Sequence, residues 1–158
     1  MGAKSLRQKN KELEKVYAEV ENELGRSASD KEVADKLGIS VDELNKLLSE
    51  VNLSSMISLE EFLEQNYEIG VTTAPESREE KPEGYIEMAE LREILVDAIG
   101  KLPEKEKMVV SLYYFEDLTL KEISAIMKVS ESRISQLHTK AILRLRGKLA
   151  RHKSILSD

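Results

Sequence analysis

The amino-acid sequence predicts an all-α protein made of two small helical domains that are joined by a long acidic linker. The 158-residue chain contains only seven glycines and three prolines. Apolar residues recur through most of it at the three- and four-residue steps of amphipathic helices. Residues 53–84 lack this rhythm and far exceed the length of about 4–6 residues that is usual for a loop inside a domain. We therefore predict a first domain over residues 1–52, a linker over 53–84 and a second domain over 85–158.

The first domain is predicted to contain three helices. Residues 4–24 carry apolar side chains on one helical face, and Gly25 ends that helix. Ser29 caps a second helix, which Gly38 breaks, and Ser40 caps a third. Each boundary has a local chemical cause, since serine accepts from free N–H groups and glycine tolerates a left-handed backbone.

Four helices are predicted in the second domain, and one short helix over residues 58–66 of the linker. The first of the four ends near Gly100, and Pro103 occupies the first turn of the next. Thr119 caps a short third helix, and Ser130 caps a long last one.

One spacing of apolar residues occurs twice, and it is that of a helix-turn-helix. In such a unit of about twenty residues, five places are apolar, one is small and one in the turn is glycine, because two short helices cross over a small core. A copy that starts at Asp30 fills all seven places, whereas a copy that starts at Leu120 has Lys128 in the turn. We expect Lys128 to adopt a left-handed conformation at a cost of about 1 kcal/mol. The residues at these places are Val33, Ala34, Leu37, Gly38, Ile39, Leu44 and Leu47 in the first copy and Ile123, Ser124, Met127, Lys128, Val129, Ile134 and Leu137 in the second.

The two copies offer different side chains to a nucleic acid. The second helix of the first copy begins with Asp42 and Glu43, which would face phosphates, so we expect this copy to pack rather than read DNA. Arginine can form two hydrogen bonds with guanine and glutamine two with adenine, whereas serine can serve either base. In the second copy the places expected to be exposed are Glu131, Ser132, Arg133, Ser135, Gln136 and Lys140, and further DNA-contact candidates are Thr119 and Lys121.

Charged residues are unevenly distributed along the chain, so the net charge alone is a poor guide to its partners. A net charge of -6 argues against nucleic acid as a partner. Residues 128–158, however, hold eight basic and two acidic side chains, whereas the linker has a net charge of -6. We predict that the linker or the first domain folds back and masks the last helix when its partners are absent. The basic residues of that helix are expected to be either solvated or in contact with phosphate or a protein partner, and they are Arg144, Arg146, Lys148, Arg151 and Lys153.

The sequence also excludes several classes of protein. Without cysteine, neither a disulfide nor a thiolate site can form. We find no nucleophile constellation, metal-ligand cluster or glycine-rich phosphate loop, and we expect a non-enzyme without cofactor or metal. No apolar run reaches the roughly 18–20 residues of a membrane span. The start of the sequence lacks the apolar core of a signal peptide, so we expect a cytoplasmic protein. His138 is predicted to be an exposed helix residue.

Two parts of the chain resemble bacterial sigma factors. Residues 102–114, 118–123 and 129–138 resemble the C-terminal domain that recognises the minus-35 promoter element. Residues 4–65 are similar to domain three of the flagellar and sporulation-type alternative sigma factors. The resemblance implies an RNA polymerase specificity subunit that is active on core polymerase and is held by an anti-sigma factor. The family's domain two is absent and the start Met1-Gly2-Ala3 looks like an expression-vector leader, so we expect a two-domain fragment. No dimer seam is evident in the sequence, so we expect the fragment to be monomeric when free.

The resemblance also implies roles for individual residues. Bases would be faced by Glu131, Ser132 and Gln136, and the DNA backbone by Arg133 and Ser135. DNA upstream of the minus-10 element would be approached by Lys4, Arg7, Lys9 and Lys11. The side chains that serve core packing and docking on polymerase would be Leu91, Leu95 and Val109. Those that lie in the polymerase channel would be Glu60, Glu61 and Glu64. Two alternatives stay open, a dimeric helix-turn-helix repressor and a helical adaptor that binds only proteins.

Overall fold

The computed structural model describes residues 5–54, the N-terminal half, and residues 88–157, the C-terminal half. The described residues form seven α-helices, which confirms the predicted all-α class. The short helix predicted over residues 58–66 lies outside them. The helices are α1 (Leu6–Leu24), α2 (Asp30–Leu37), α3 (Val41–Ser54), α4 (Met88–Gly100), α5 (Glu104–Val110), α6 (Leu120–Met127) and α7 (Glu131–Ser157), and a π-helical turn (Ser111–Phe115) follows α5.

The predicted helix starts are capped by their own side chains. Ser29 Oγ accepts from the N–H of Glu32 at 3.2 Å, and the Glu32 carboxylate accepts from the N–H of Ser29 at 2.8 Å. Thr119 and Glu122 form the same reciprocal pair at the start of α6. Two donors that a helix leaves free at its N-terminus are thereby satisfied in each copy. This local chemistry explains why α2 and α6 begin at corresponding places.

Each copy of the helix-turn-helix has its own apolar core. In the N-terminal half, α1 packs on α2 and α3 through Leu13 and Tyr17, and Val33 and Leu44 are fully buried. The second copy is formed by α6 and the start of α7. Its buried core consists of Val109, Ile123, Ile134 and Leu137. A neighbouring apolar core, which we call the core under α4, consists of Ala98, Leu102, Val110, Ala141, Ile142, Leu145 and Leu149.

The two halves pack on each other through α7. One face of this 27-residue helix lies on α4, α5 and α6, and the opposite face lies on α1 and α3. Leu143 of α7 is only 2% exposed and belongs to the apolar core of the N-terminal half. The structure thus contains the predicted packing of the first domain on the last helix. We call this the closed arrangement.

The turn of the second copy is strained at Lys128. Its φ is 59°, in the left-handed region, where Gly38 of the first copy has a φ of 73°. We expect Lys128→Gly to raise the free energy of unfolding by about 1 kcal/mol, because a side chain in this conformation crowds its own carbonyl. Urea denaturation followed by circular dichroism measures the change.

The first copy supplies a matched control for this change. A Cβ atom at Gly38 would meet nothing within 4 Å, so the strain of Gly38→Lys is confined to the backbone. We expect Gly38→Lys to lower the free energy of unfolding by a similar amount, about 1 kcal/mol. Equal stability of Lys128→Gly and the parent chain would show that the turn carries no such strain.

Candidate nucleic-acid interface

Solvent reaches the start of α7, which is the second helix of the second helix-turn-helix. Ser130 Oγ accepts from the N–H of Arg133 at 3.1 Å and fixes the first turn of the helix. Glu131 and Ser132 are exposed, and Arg133 and Ser135 are half-buried. The N-terminal residues of such a helix are those that reach base edges in the major groove. The structure therefore exposes Glu131 and Ser132 as predicted, whereas Arg133 and Ser135 are less exposed than the sequence predicts.

The middle of α7 is covered by the N-terminal half. Gln136 donates from Nε2 to Ser49 Oγ on α3 at 3.1 Å, and its Oε1 accepts from Arg133 at 3.4 Å. Lys140 is 4% exposed, and its Nζ lies 3.0 Å from Asp30 Oδ1. The prediction of an exposed Lys140 is therefore wrong for this arrangement, because α2 brings a carboxylate over it. An ammonium held in this way is not available to a phosphate.

A buried ionic group lies one turn further along α7. The guanidinium of Arg144, which is 4% exposed, donates from Nε to Glu21 Oε2 of α1 at 2.6 Å. It also donates to the carboxylate of Glu106 on α5 and, at 2.6 Å, to the carbonyl oxygen of Ala28. The Tyr17 ring lies 5.2 Å below it. Arg144 therefore joins both halves, whereas the sequence favoured a solvated basic end or a phosphate or polymerase contact.

Two polar groups in this region are incompletely satisfied. Among the described residues, Glu106 Oε1 and the Tyr17 hydroxyl are buried and have no hydrogen-bond partner. Burial raises the pKa of Glu106 above its ordinary value, although the nearby Arg144 opposes this shift. Burial also raises the pKa of Tyr17. The junction between the halves therefore contains a carboxyl group for which the charged form is costly.

His138 is buried rather than exposed, so its prediction is wrong. It lies on the face of α7 that contacts the π-helical turn, where its Nε2 is 3.1 Å from the Tyr114 hydroxyl. Burial lowers the pKa of His138 to about 4, which leaves the ring neutral near pH 7. The spacing held a signal for this, since His138 shares a helical face with the buried residues Ile134 and Leu145.

The remaining DNA-contact candidates are placed as follows. Thr119 and Lys121 are exposed at the start of α6, where Thr119 acts as the cap. Arg7 and Lys11 are exposed on α1, whereas Lys9 lies 3.7 Å from Glu50. Lys4 lies outside the described residues. The positions of these side chains do not by themselves identify DNA as their partner, so their role as DNA contacts stays a prediction.

The polymerase-contact candidates need one correction. Val109 is fully buried in the core of the second copy, so here it serves packing and offers no surface. Leu95 is half-buried against the core under α4. Apolar side chains that are exposed on the same two helices are Val96, at 60%, and Met108, at 44%. Predicted contacts outside the described side chains are Leu91, Glu60, Glu61 and Glu64.

The basic end of α7 also contacts the N-terminal half. Arg146 Nε lies 3.4 Å from Glu14 Oε1 of α1, and Lys148 is half-buried. The side chains of Arg151 and Lys153 are not described. Within residues 5–54 and 88–157, no group of three or more histidine, aspartate and glutamate residues could hold a metal ion. No helix in these two ranges is long and apolar enough to cross a membrane.

These features define a class of protein. The described residues contain two helix-turn-helix units, and the second presents a polar helix start of the kind that enters the major groove. The chain belongs to the sigma-70 family. Residues 8–84 match sigma-70 region 3, and residues 98–147 match sigma-70 region 4.

Individual relatives agree with this assignment. The chain is 41% identical over 148 residues to RNA polymerase sigma factor FliA of Salmonella typhimurium, which covers 94% of this chain and 62% of the relative. It is 36% identical over 146 residues to the RNA polymerase sigma-D factor of Bacillus subtilis, covering 90% and 57%. The chain therefore spans about three fifths of the length of these relatives.

A solved structure is similar as well. It is the cocrystal structure of the flagellar sigma/anti-sigma complex Sigma-28/FlgM, with a TM-score of 0.51 and 38% sequence identity. The similarity covers 94% of this chain and 63% of that chain.

Proposed function

We propose that this chain is the part of a flagellar-type sigma factor that reads the minus-35 promoter element and docks on core RNA polymerase. The observation that carries the proposal is the exposed first turn of α7 within a segment that matches sigma-70 region 4. Like its relatives, the protein would act in transcription initiation, in the cytoplasm, as a specificity subunit and not as an enzyme. Its partners would be promoter DNA and core polymerase.

The chemistry of α7 indicates how bases would be read. The Glu131 carboxylate can accept a hydrogen bond from the amino group of cytosine, and the Ser132 hydroxyl can donate or accept. Arg133 and Ser135, which flank them, would lie along the phosphates. Gln136 can serve adenine once Ser49 no longer holds its amide.

The closed arrangement is incompatible with this reading. The major groove is about 12 Å wide, which is close to the diameter of one helix with its side chains. Because α3 lies over Gln136 and α2 over Lys140, α7 cannot enter a groove beyond its first turn. We infer that the described arrangement is a state that cannot bind promoter DNA and that core polymerase would separate the halves.

Two further partners follow from the surface and the relatives. Val96 on α4 and Met108 on α5 are exposed apolar side chains. We propose these two helices as the docking site for polymerase. The solved relative is a complex with an anti-sigma protein, and we propose a partner of the same kind for this chain. A dimeric repressor or a protein-only adaptor is less well supported, because the relatives are RNA polymerase sigma factors.

Selection of duplexes from a random pool, with the chain bound to core polymerase, tests the proposal. We expect Glu131→Ala to change the preferred base at one position, because a lost specific contact reduces discrimination by about tenfold to a hundredfold. Asp42→Ala is the control, since Asp42 is exposed in the first turn of α3 in the copy that packs. Failure of core polymerase to capture the chain, or identical selected sequences for Glu131→Ala and the parent chain, would contradict the proposal.

A further inference from the structure

The two copies of the helix-turn-helix differ in the residue that turns the chain between their helices. Both turns have a left-handed backbone, with a φ of 73° at Gly38 and of 59° at Lys128. Among the described residues the other positions with a positive φ are Gly25 and Asp117. Glycine adopts this conformation freely, and aspartate tolerates it through its short polar side chain. Lysine has neither property, so the backbone gives no reason for a lysine at position 128.

Contacts inside the protein give no reason for Lys128 either. The residue is exposed, and its backbone N–H donates to the carbonyl oxygen of Ser124, a bond that any residue except proline can form. Within the described part of the chain its ammonium group has neither a hydrogen bond nor an ion pair. Strained backbone positions are concentrated at functional sites. A charged side chain that occupies such a position without an internal contact indicates a contact outside the protein.

The position of Lys128 indicates the kind of contact. Lys128 directly follows α6, and Lys121 is the second residue of that helix. Seven residues are almost two helical turns, so the two exposed lysines lie on one side of α6 and about 10 Å apart along its axis. In a helix-turn-helix the first helix crosses the DNA backbone while the second lies in the major groove. Cations at the two ends of α6 therefore lie nearer to phosphates than to base edges.

We propose that Lys128 is a phosphate contact of the DNA-bound state and that it fixes α6 on the DNA backbone together with Lys121. Its ligand is the sugar–phosphate backbone of duplex DNA, whatever the base sequence. This inference rests on the proposed function, since it requires that the second copy binds DNA. The first copy, which is expected to pack rather than to read DNA, has the unstrained Gly38 at the same place.

A phosphate contact has two signatures that a purely structural role lacks. It releases counterions, so its removal makes the slope of log affinity against log salt concentration less negative by about 0.9. It reads no base, so the preferred DNA sequence stays the same. Lys128→Gly also removes the strain of the turn and should make the protein more stable. Weaker binding by a more stable protein cannot result from a loss of structure.

The experiment uses the full chain bound to core polymerase and the duplex that the parent chain selects from the random pool. Affinity for this duplex is measured over a series of salt concentrations from about 0.05 to 0.2 M. We expect Lys128→Gly and Lys128→Asn to make the slope less negative by about 0.9, and Lys128→Arg to keep it because the charge is retained. Asparagine tolerates the left-handed backbone, so Lys128→Asn removes the charge without new strain.

The first copy supplies the matched controls. Lys36→Gln removes the same charge from an exposed position at the end of α2, and Gly38→Lys adds a lysine at the place that corresponds to Lys128. Both variants should have the slope of the parent chain, because the first copy is not expected to contact DNA.

The outcomes separate this inference from the function on which it rests. If the parent chain binds the duplex but Lys128→Gly has the parent's slope or prefers other bases, the inference is wrong and the proposed function stands. An equal change of slope in Lys36→Gln would also overturn the inference, since it would show an effect of net charge rather than of a contact. A parent chain that core polymerase does not capture would overturn the proposed function, and the inference with it.

Discussion

Replacing Leu143 with aspartate should separate the two halves and uncover the middle of α7. Leu143 is 2% exposed and packs in the apolar core of the N-terminal half, although it belongs to the C-terminal half. Loss of a buried leucine costs about 2–5 kcal/mol, and an uncompensated charge in its place costs more. Because Leu143 faces solvent in the open state, this cost falls on the closed state alone.

The expected size of the effect follows from that difference. With each 1.4 kcal/mol equal to a tenfold change, the closed-to-open ratio should fall by about a hundredfold or more. Energy transfer between labels on the two halves reports the opening. If the proposed function holds, the affinity for a minus-35 duplex rises until the open state is fully populated, because apparent affinity scales with the fraction of competent molecules.

Leu145→Asp is the matched control for this change. Leu145 is fully buried two residues further along α7, but it faces the core under α4. Its replacement should unfold the C-terminal half rather than release it, with a loss of helical circular dichroism. Leu143→Asp should retain the helical signal of the parent chain. A Leu143→Asp variant that stays closed, or that loses helix as Leu145→Asp does, would contradict the assignment of this face of α7.

Local sequence chemistry predicted the helices and both turns. Ser29, Thr119 and Ser130 cap the helices they were expected to start, and Gly25 and Lys128 have the predicted left-handed backbone. These features depend on neighbours within about five residues, and hydrogen bonding and sterics determine them without a tertiary structure. The repeated apolar spacing had the same advantage, because a helix-turn-helix core is formed almost wholly by one short segment.

The second face of α7 could not be predicted in the same way. Lys140 and Arg144 are basic, and such side chains are rarely buried unless they are paired. Their partners Asp30 and Glu21 are more than 100 residues away, so no local pattern joins them. The charge contrast indicated that something covers the last helix, but only the structure shows that α1, α2 and α3 do so. The π-helical turn likewise had no recognised signal.

Removing the guanidinium of Arg144 should destabilise the closed state more than removing the ammonium group of Lys140, another cation of α7 that is paired across the junction. The Arg144→Met variant removes the guanidinium donor from Glu21, Glu106 and the carbonyl of Ala28. Glu21 keeps its hydrogen bond from the N–H of Ala28. Breaking a buried ionic group in this way costs about 3–5 kcal/mol, because the remaining charges are desolvated and uncompensated. Lys140→Met should cost less, since water still reaches its partner Asp30. The closed fraction and the urea midpoint of each variant measure the two effects.

Replacement of the whole group separates the source of this cost from loss of packing. In a chain with Arg144→Met, Glu21→Met and Glu106→Met, no buried charge is left unpaired, and apolar side chains of similar volume fill the space. Such replacements are often neutral or stabilising by about 1–4 kcal/mol, so closure should recover most of what Arg144→Met removes. If the triple variant is as open as the single one, the guanidinium stabilises the junction through contacts other than these two carboxylates, among them the Ala28 carbonyl and the Tyr17 ring.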